Sequence, residues 1–251
     1  MIIRKTPQQV DQMAAAGEIL VRCLKMLESK TRAGTTTLEL DEAAEKFIRS
    51  QGAEPAFKGY RGFPGSICAS PNSMVVHGIP DKTVLKRGDL LSIDVGVVKD
   101  GWVADAAMTV PVGPITPEAE KLLEVTEGAL FAGIEQARPG NHLGDIGAAI
   151  QRHVEAEGLS IIRTLVGHGI GREMHEEPQV PNFGEPGRGP ELEEGMVLAI
   201  EPMVNAGGPL VRMGEDGWAV YSEDDSLAAH FEFTVAITPE GPRVLTPWHE
   251  A

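Results

Sequence analysis

Two cysteines in 251 residues are too few for a disulfide framework, so Cys23 and Cys68 read as free thiols in a reducing cytoplasm. No apolar run reaches the length of a membrane span. The opening Met1-Ile2-Ile3-Arg4-Lys5-Thr6-Pro7 has no apolar core long enough for a secretory signal, and none is expected. Basic residues are scarce: 22 Lys and Arg stand against 37 Asp and Glu, and a formal charge of −15 argues against electrostatically driven or sequence-specific binding to nucleic acid. No low-complexity tail is present. The 29 glycines and 18 prolines are spread as turns rather than gathered into a linker.

What the chain does have is an internal repeat. Leu85-Lys86-Arg87-Gly88-Asp89-Leu90-Leu91-Ser92-Ile93-Asp94 matches Leu192-Glu193-Glu194-Gly195-Met196-Val197-Leu198-Ala199-Ile200-Glu201, and each copy ends on an acid. Arg32-x-Gly34 and Gly52 return as Arg138-x-Gly140 and Gly158, and His77-Gly78-Ile79 returns as His168-Gly169-Ile170. Two related halves, about 6–113 and 116–240, fit one domain over 1–251 whose halves share a sheet.

Thr6-Pro7 with Gln9 is a helix start, and Val10, Met13, Leu20, Leu24 and Leu27 follow at helical spacing. A second helix is expected over Leu38–Ser50. The second half repeats the plan from Thr116-Pro117 to about Ala137, then over Leu143–Glu157. Strands are expected at Val75-Val76, Leu90–Val98, Trp102–Val110, Ile161–Val166, Val197–Val204, Trp218–Ser222 and Phe231–Ile237, with Phe57–Pro71 and Pro178–Pro190 as loops. The order predicts an α+β fold whose mixed or antiparallel sheet is covered on one side by helices.

With Asp100-Gly101 as a two-residue hairpin turn, Lys99 faces Trp102 and Asp94 faces Ala107. Asp105 then shares a face with Asp94 as its diagonal neighbour. Glu201 follows Val-Leu-Ala-Ile, and Glu232 shares a strand face with His230 and Thr234. Each could be an ordinary strand-end residue. Inside apolar runs, however, four unpaired carboxylates would cost several kcal/mol apiece to desolvate. Two divalent cations would neutralise them. With His168 adding nitrogen, the donor set suits Mn, Fe, Co or Zn rather than Ca. His77, the repeat counterpart of His168, and His175 are candidates for proton or oxyanion work. His142, His153 and His249 have no such support.

The order His77, Asp94, Asp105, His168, His175, Glu201, Glu232 resembles type I methionine aminopeptidases of the short bacterial form, in the creatinase-like or pita-bread group. The resemblance covers nearly the whole chain. It rests on His-Gly-Ile-Pro, Ile-Asp-Val, Gly-His-Gly-Ile-Gly, His-Glu-Glu-Pro-Gln-Val and Ile-Glu-Pro-Met-Val-Asn-Ala-Gly. It implies two pseudo-symmetric halves sharing a curved, mostly antiparallel sheet with helices outside. It also implies a two-metal site in which Asp94 chelates one ion, His168 and Glu201 the other, and Asp105 and Glu232 bridge. His77 would contact the scissile nitrogen, His175 the carbonyl, and Glu201 would move a proton from the attacking water. Phe57, Tyr60, Phe63, Cys68, Met174 and Trp218 would line a methionine pocket.

The implied activity is removal of the initiator methionine from nascent chains whose second residue is small. A cytoplasmic monomer in transient contact with the ribosome goes with it. Some positions depart from the family pattern. Phe63, Met174 and Phe233 replace residues common there, and Ala107 lacks a hydroxyl often found two places after the aspartate. These changes bear on the surroundings of the ligands, not on the ligands themselves. The alternatives are a proline-specific peptidase of the same fold and a non-catalytic relative acting as a binding protein.

Overall fold

A computed structural model describes residues 1–250. Helix α1 spans Pro7–Lys30 and α2 Thr37–Ser50. Each opens on a threonine whose hydroxyl accepts the N–H three residues on, while the side chain there, Gln9 or Glu39, accepts the threonine's own N–H. Helices α3, Pro117–Glu135, and α4, Leu143–Ala156, form the second pair. The expected start of α1 and both ends of the other three helices hold to within two residues.

The Leu90–Lys99 and Trp102–Pro111 strands form the expected hairpin, with Lys99 opposite Trp102 and Asp94 opposite Ala107. Cys68–Pro71 and Glu54–Pro55 pair with the first of these strands. In the second half, Phe233–Thr238, Val197–Ile200, Gly167–Gly169 and Glu176–Val180 lie side by side, flanked by Gly241–Val244. Two three-stranded ladders complete the described sheets, and the pairings are antiparallel. The hydrogen-bonded ladders thus divide what the sequence suggested as one sheet into four.

Alternation along the hairpin separates core from site. Leu91, Ile93, Val95 and Val97, with Ala104, Ala106, Met108 and Val110, share one buried core with Leu20, Leu24, Leu40, Ile48, Leu122, Leu130, Ile146 and Ile150 of the helices, and α1 lies directly against the hairpin. Each such fully buried Leu or Ile contributes about 1.5–3 kcal/mol. The intervening Ser92, Asp94, Asp105 and Thr109 are thereby turned to the face away from the helices.

Several strands are shorter than expected, and the breaks matter. Val197–Val204 is interrupted at Glu201-Pro202, because Pro202 has no N–H to continue a ladder. Phe231–Ile237 begins only at Phe233, because the Glu232 N–H donates instead to the Ala107 carbonyl at 2.9 Å. At both corners the chain passes between a five-stranded and a three-stranded ladder. Ile161–Val166 pairs only at Ser160–Ile161, and the Trp218–Ser222 strand starts at Val220. The two expected loops contain strand residues at Cys68–Pro71 and at Glu176–Val180, where Pro and charge obscured the pattern.

Candidate metal centre

Asp94 and Asp105 come from the hairpin, and their expected diagonal relation holds, since Asp105 faces Gly96 and Asp94 faces Ala107. The second half docks on this hairpin through threonine hydroxyls. The Asp105 N–H donates to Thr234 Oγ1 at 3.0 Å, and that hydroxyl donates to the Asp105 carbonyl at 2.7 Å. Thr109 clamps His230 in the same way, with both bonds at 2.9 Å. These contacts carry Glu232 alongside Asp105.

His168 enters on the Gly167–Gly169 strand. Glycines flank it because a Cβ on Gly167 would meet the Ala199 carbonyl, and one on Gly169 the Glu177 carbonyl. The His168 Nδ1 lies 2.9 Å from the Gly169 carbonyl, which can only accept, so Nδ1 carries the hydrogen. Nε2 is left with its lone pair, 3.7 Å from Glu201 Oε1 and 3.9 Å from Asp105 Oδ2.

The acids are packed together without cationic side chains to match. One oxygen each of Asp94, Asp105 and Glu232 is buried with no hydrogen-bond partner. Burial, then mutual repulsion, raises Asp94 and Glu232 well above the carboxylate range. Burial and the charge of Glu201 push Asp105 up to about 8. Burial pushes Glu201 up to about 7, against the opposing effect of His168. Orphaned carboxylate oxygens beside an imidazole lone pair fit divalent cations of the Mn, Fe, Co or Zn kind. Asp105, His168 and Glu232 each offer a ligand atom within 4.8 Å of the others.

His77 and His175 stand at the mouth of the same cavity. His77 has a left-handed backbone (φ 61), held where the Gly78 N–H donates to Ser70 Oγ at 3.0 Å and the Gly78 carbonyl accepts from Ala69 at 3.0 Å. Both residues are exposed as a whole, yet desolvation by the surrounding protein lowers His77 to about 4 and His175 to about 3. His230 adds to the first shift, and His168 and Arg61 to the second. Both are neutral donors or acceptors near pH 7.

Phe57, Tyr60, Phe63, Cys68 and Trp218 line one wall, with Trp218 edge-on to Phe63 at 5.1 Å. Met174 is in the same apolar cluster, beside Phe57 against Gly96, and it is not among the residues lining the cavity. Phe233 lies on the far side of its strand against Phe131 and Trp248, so this departure falls in the core, away from the acids.

The sequence reading missed Arg61, a cavity-wall residue that stacks 5.2 Å from the Tyr60 ring. His230, expected only to share the strand face of Glu232, is 2% exposed and lies 3.4 Å from Glu201 Oε2.

A family profile described as Metallopeptidase family M24 matches residues 11–239. The chain belongs to metallopeptidase family M24. A methionine aminopeptidase of Clostridium perfringens is 54% identical over 246 residues, covering 98% of this chain and 99% of the relative. The crystal structure of methionine aminopeptidase from Rickettsia prowazekii superposes with a TM-score of 0.97 at 41% identity, covering 98% and 100% of the two chains. Prolidase from Pyrococcus furiosus matches with a TM-score of 0.78 at 24% identity, which speaks for the fold alone; this chain spans 65% of it. The M24 assignment makes the chain a metal-dependent hydrolase with the pita-bread fold, and its buried acids are the metal-binding candidates that such a hydrolase requires.

Proposed function

We propose that this M24 peptidase removes an N-terminal methionine by hydrolysing the first peptide bond, acting on new chains whose second residue is small. The observation that carries the reading is one cavity in which orphaned acids adjoin a wall of Phe57, Tyr60, Phe63, Cys68 and Trp218. Such a wall suits an unbranched thioether, whose polarizable sulfur packs well against aromatic edges. The relatives named above support the same reading.

Asp94, Asp105, His168, Glu201 and Glu232 would hold two divalent cations, Co, Mn, Fe or Zn. Bound there, these supply Lewis acidity for the scissile carbonyl and make water nucleophilic near neutral pH. Glu201, a carboxylate beside the attacking water, would take its proton and pass it on. His175 donates to the developing oxyanion, and His77 to the scissile nitrogen as the amine leaves. The rings can do this as neutral N–H donors. The apolar wall holds the methionine side chain while these groups act on its carbonyl.

A single domain with pseudo-equivalent halves, 6–113 and 116–240, accords with the repeated helix pairs. No described helix is long and apolar enough to cross a membrane. We place the chain in the cytoplasm, monomeric, meeting nascent chains in brief contact with the ribosome.

The test is removal of metal by chelator, then assay of Met-Ala-Ser and Ala-Pro peptides with added Co or Mn. Release of Met from the first alone supports the proposal. Cleavage of Ala-Pro would reassign the chain as proline-specific, and no cleavage of either would point to a binding role.

A further inference from the structure

His230 is a buried polar side chain that the reaction outlined above does not use. It ends the strand Ala228–His230, with its backbone fixed on both sides by Thr109. Neither ring nitrogen has a hydrogen-bond partner. A dry imidazole with nothing to bond is uncommon in a folded protein, and a bound ion or water is the usual reason. Its Nε2 lies 3.4 Å from Glu201 Oε2 and 3.9 Å from Glu232 Oε2. Two donors each about 2.1 Å from a shared ion stand about 3–3.4 Å apart, which the shorter separation matches. Glu201, His230 and Glu232 each present a ligand atom within 4.8 Å of the others. Glu201 therefore lies between two imidazoles, with Oε1 toward His168 and Oε2 toward His230.

We propose that His230 is an additional metal ligand, binding a cation together with Glu201 and Glu232. The proposal rests on reading this cavity as a cation site. It gives the centre a second nitrogen donor beside His168, and nitrogen favours Zn, Co or Fe over Mg. Nδ1 lacks the outer hydrogen bond that commonly stiffens a ligating imidazole, so the expected contribution is modest.

Two measurements test it. In crystals of the Zn-loaded wild-type protein, an anomalous peak about 2.1 Å from His230 Nε2 is expected, whereas peaks all farther than about 3 Å overturn the proposal. In solution, calorimetric titration with Co(II) should show His230→Gln losing about tenfold or more in affinity, together with a changed visible Co(II) spectrum. Equal affinity and spectrum in the variant overturn the proposal and leave water as the ring's partner. Weaker binding with an unchanged spectrum also overturns it, since the ring would then only steer Glu201. Should the variant fail to fold, the crystallographic arm still decides. Absence of any metal uptake by the wild-type protein is a different failure, that of the cation site itself.

Discussion

The Tyr60 hydroxyl lies 2.7 Å from His175 Nδ1, and the two rings stack with centroids 5.4 Å apart. If the hydroxyl donates, His175 Nδ1 is the acceptor and Nε2 carries the hydrogen, leaving Nε2–H to face a substrate carbonyl. Tyr60→Phe removes that preference without removing the ring. We expect kcat to fall by roughly threefold to tenfold, the worth of one hydrogen bond of about 0.5–1.5 kcal/mol, with KM little changed. Steady-state kinetics on a methionyl tripeptide check this; an unaltered kcat would free His175 from Tyr60.

The raised carboxyls make a prediction about pH. Asp105 at about 8 and Glu201 at about 7 bind protons in the folded, metal-free protein that the unfolded chain has already lost above the ordinary carboxylate range. Their contribution is therefore fully present below about pH 4 and is lost as pH rises through 7 to 8. Stripped protein should show its Tm falling between pH 5.5 and 8. Metal uptake must displace those protons, so affinity should rise over the same interval with proton release on binding. Calorimetry in buffers of different ionisation enthalpy measures that release.

His77→Ala and Asp94→Ala should each lower kcat/KM by at least 100-fold while leaving circular dichroism and elution volume unchanged. Near-normal turnover by either purified variant would remove that residue from the assigned role.

Lys5 Nζ and Glu176 Oε2 form an ion pair at 2.6 Å with both side chains almost fully buried. The other Glu176 oxygen accepts the Arg172 N–H at 2.8 Å, so the pair ties the turn bearing His175 to the chain's first residues. Lys5→Met leaves a buried carboxylate alone and should destabilise the fold by about 3–5 kcal/mol. Adding Glu176→Leu should recover much of that in thermal unfolding, but not the kcat lost through the looser turn.

Trp218→Ala opens the cavity wall beside Phe63. KM for methionyl peptides should rise about tenfold or more, with a smaller change in kcat, because the ring contacts the side chain and not the reacting atoms.

Much of this was legible in one dimension because the signals are local. Thr6 and Gln9 announce α1 within four residues, and the Asp100-Gly101 turn fixes the register that sets Asp105 diagonal to Asp94. Glu201 and Glu232 stand out in the sequence as acids in apolar runs, yet their backbone differs from the expected continuous strands. They sit at corners rather than within strands, because Pro202 and the Glu232–Ala107 bond interrupt ladders that hydropathy alone would continue. Met174 joins the apolar cluster of Phe57, Phe63 and Cys68 without lining the cavity itself, a distinction that no linear pattern carries.

The amino-acid order by itself determined which residues alternate toward the core, where helices begin, and that acids recur inside apolar segments. Those properties follow from nearest-neighbour sterics and from the cost of wetting apolar faces. Only the folded chain decided that Thr109 and Thr234 would bind the hairpin to the second half, bringing His230 against Glu201 and Glu232 against Asp105. Contacts between residues more than 100 positions apart depend on how whole elements dock, and docking is settled by the summed packing of many side chains, none of which encodes it alone.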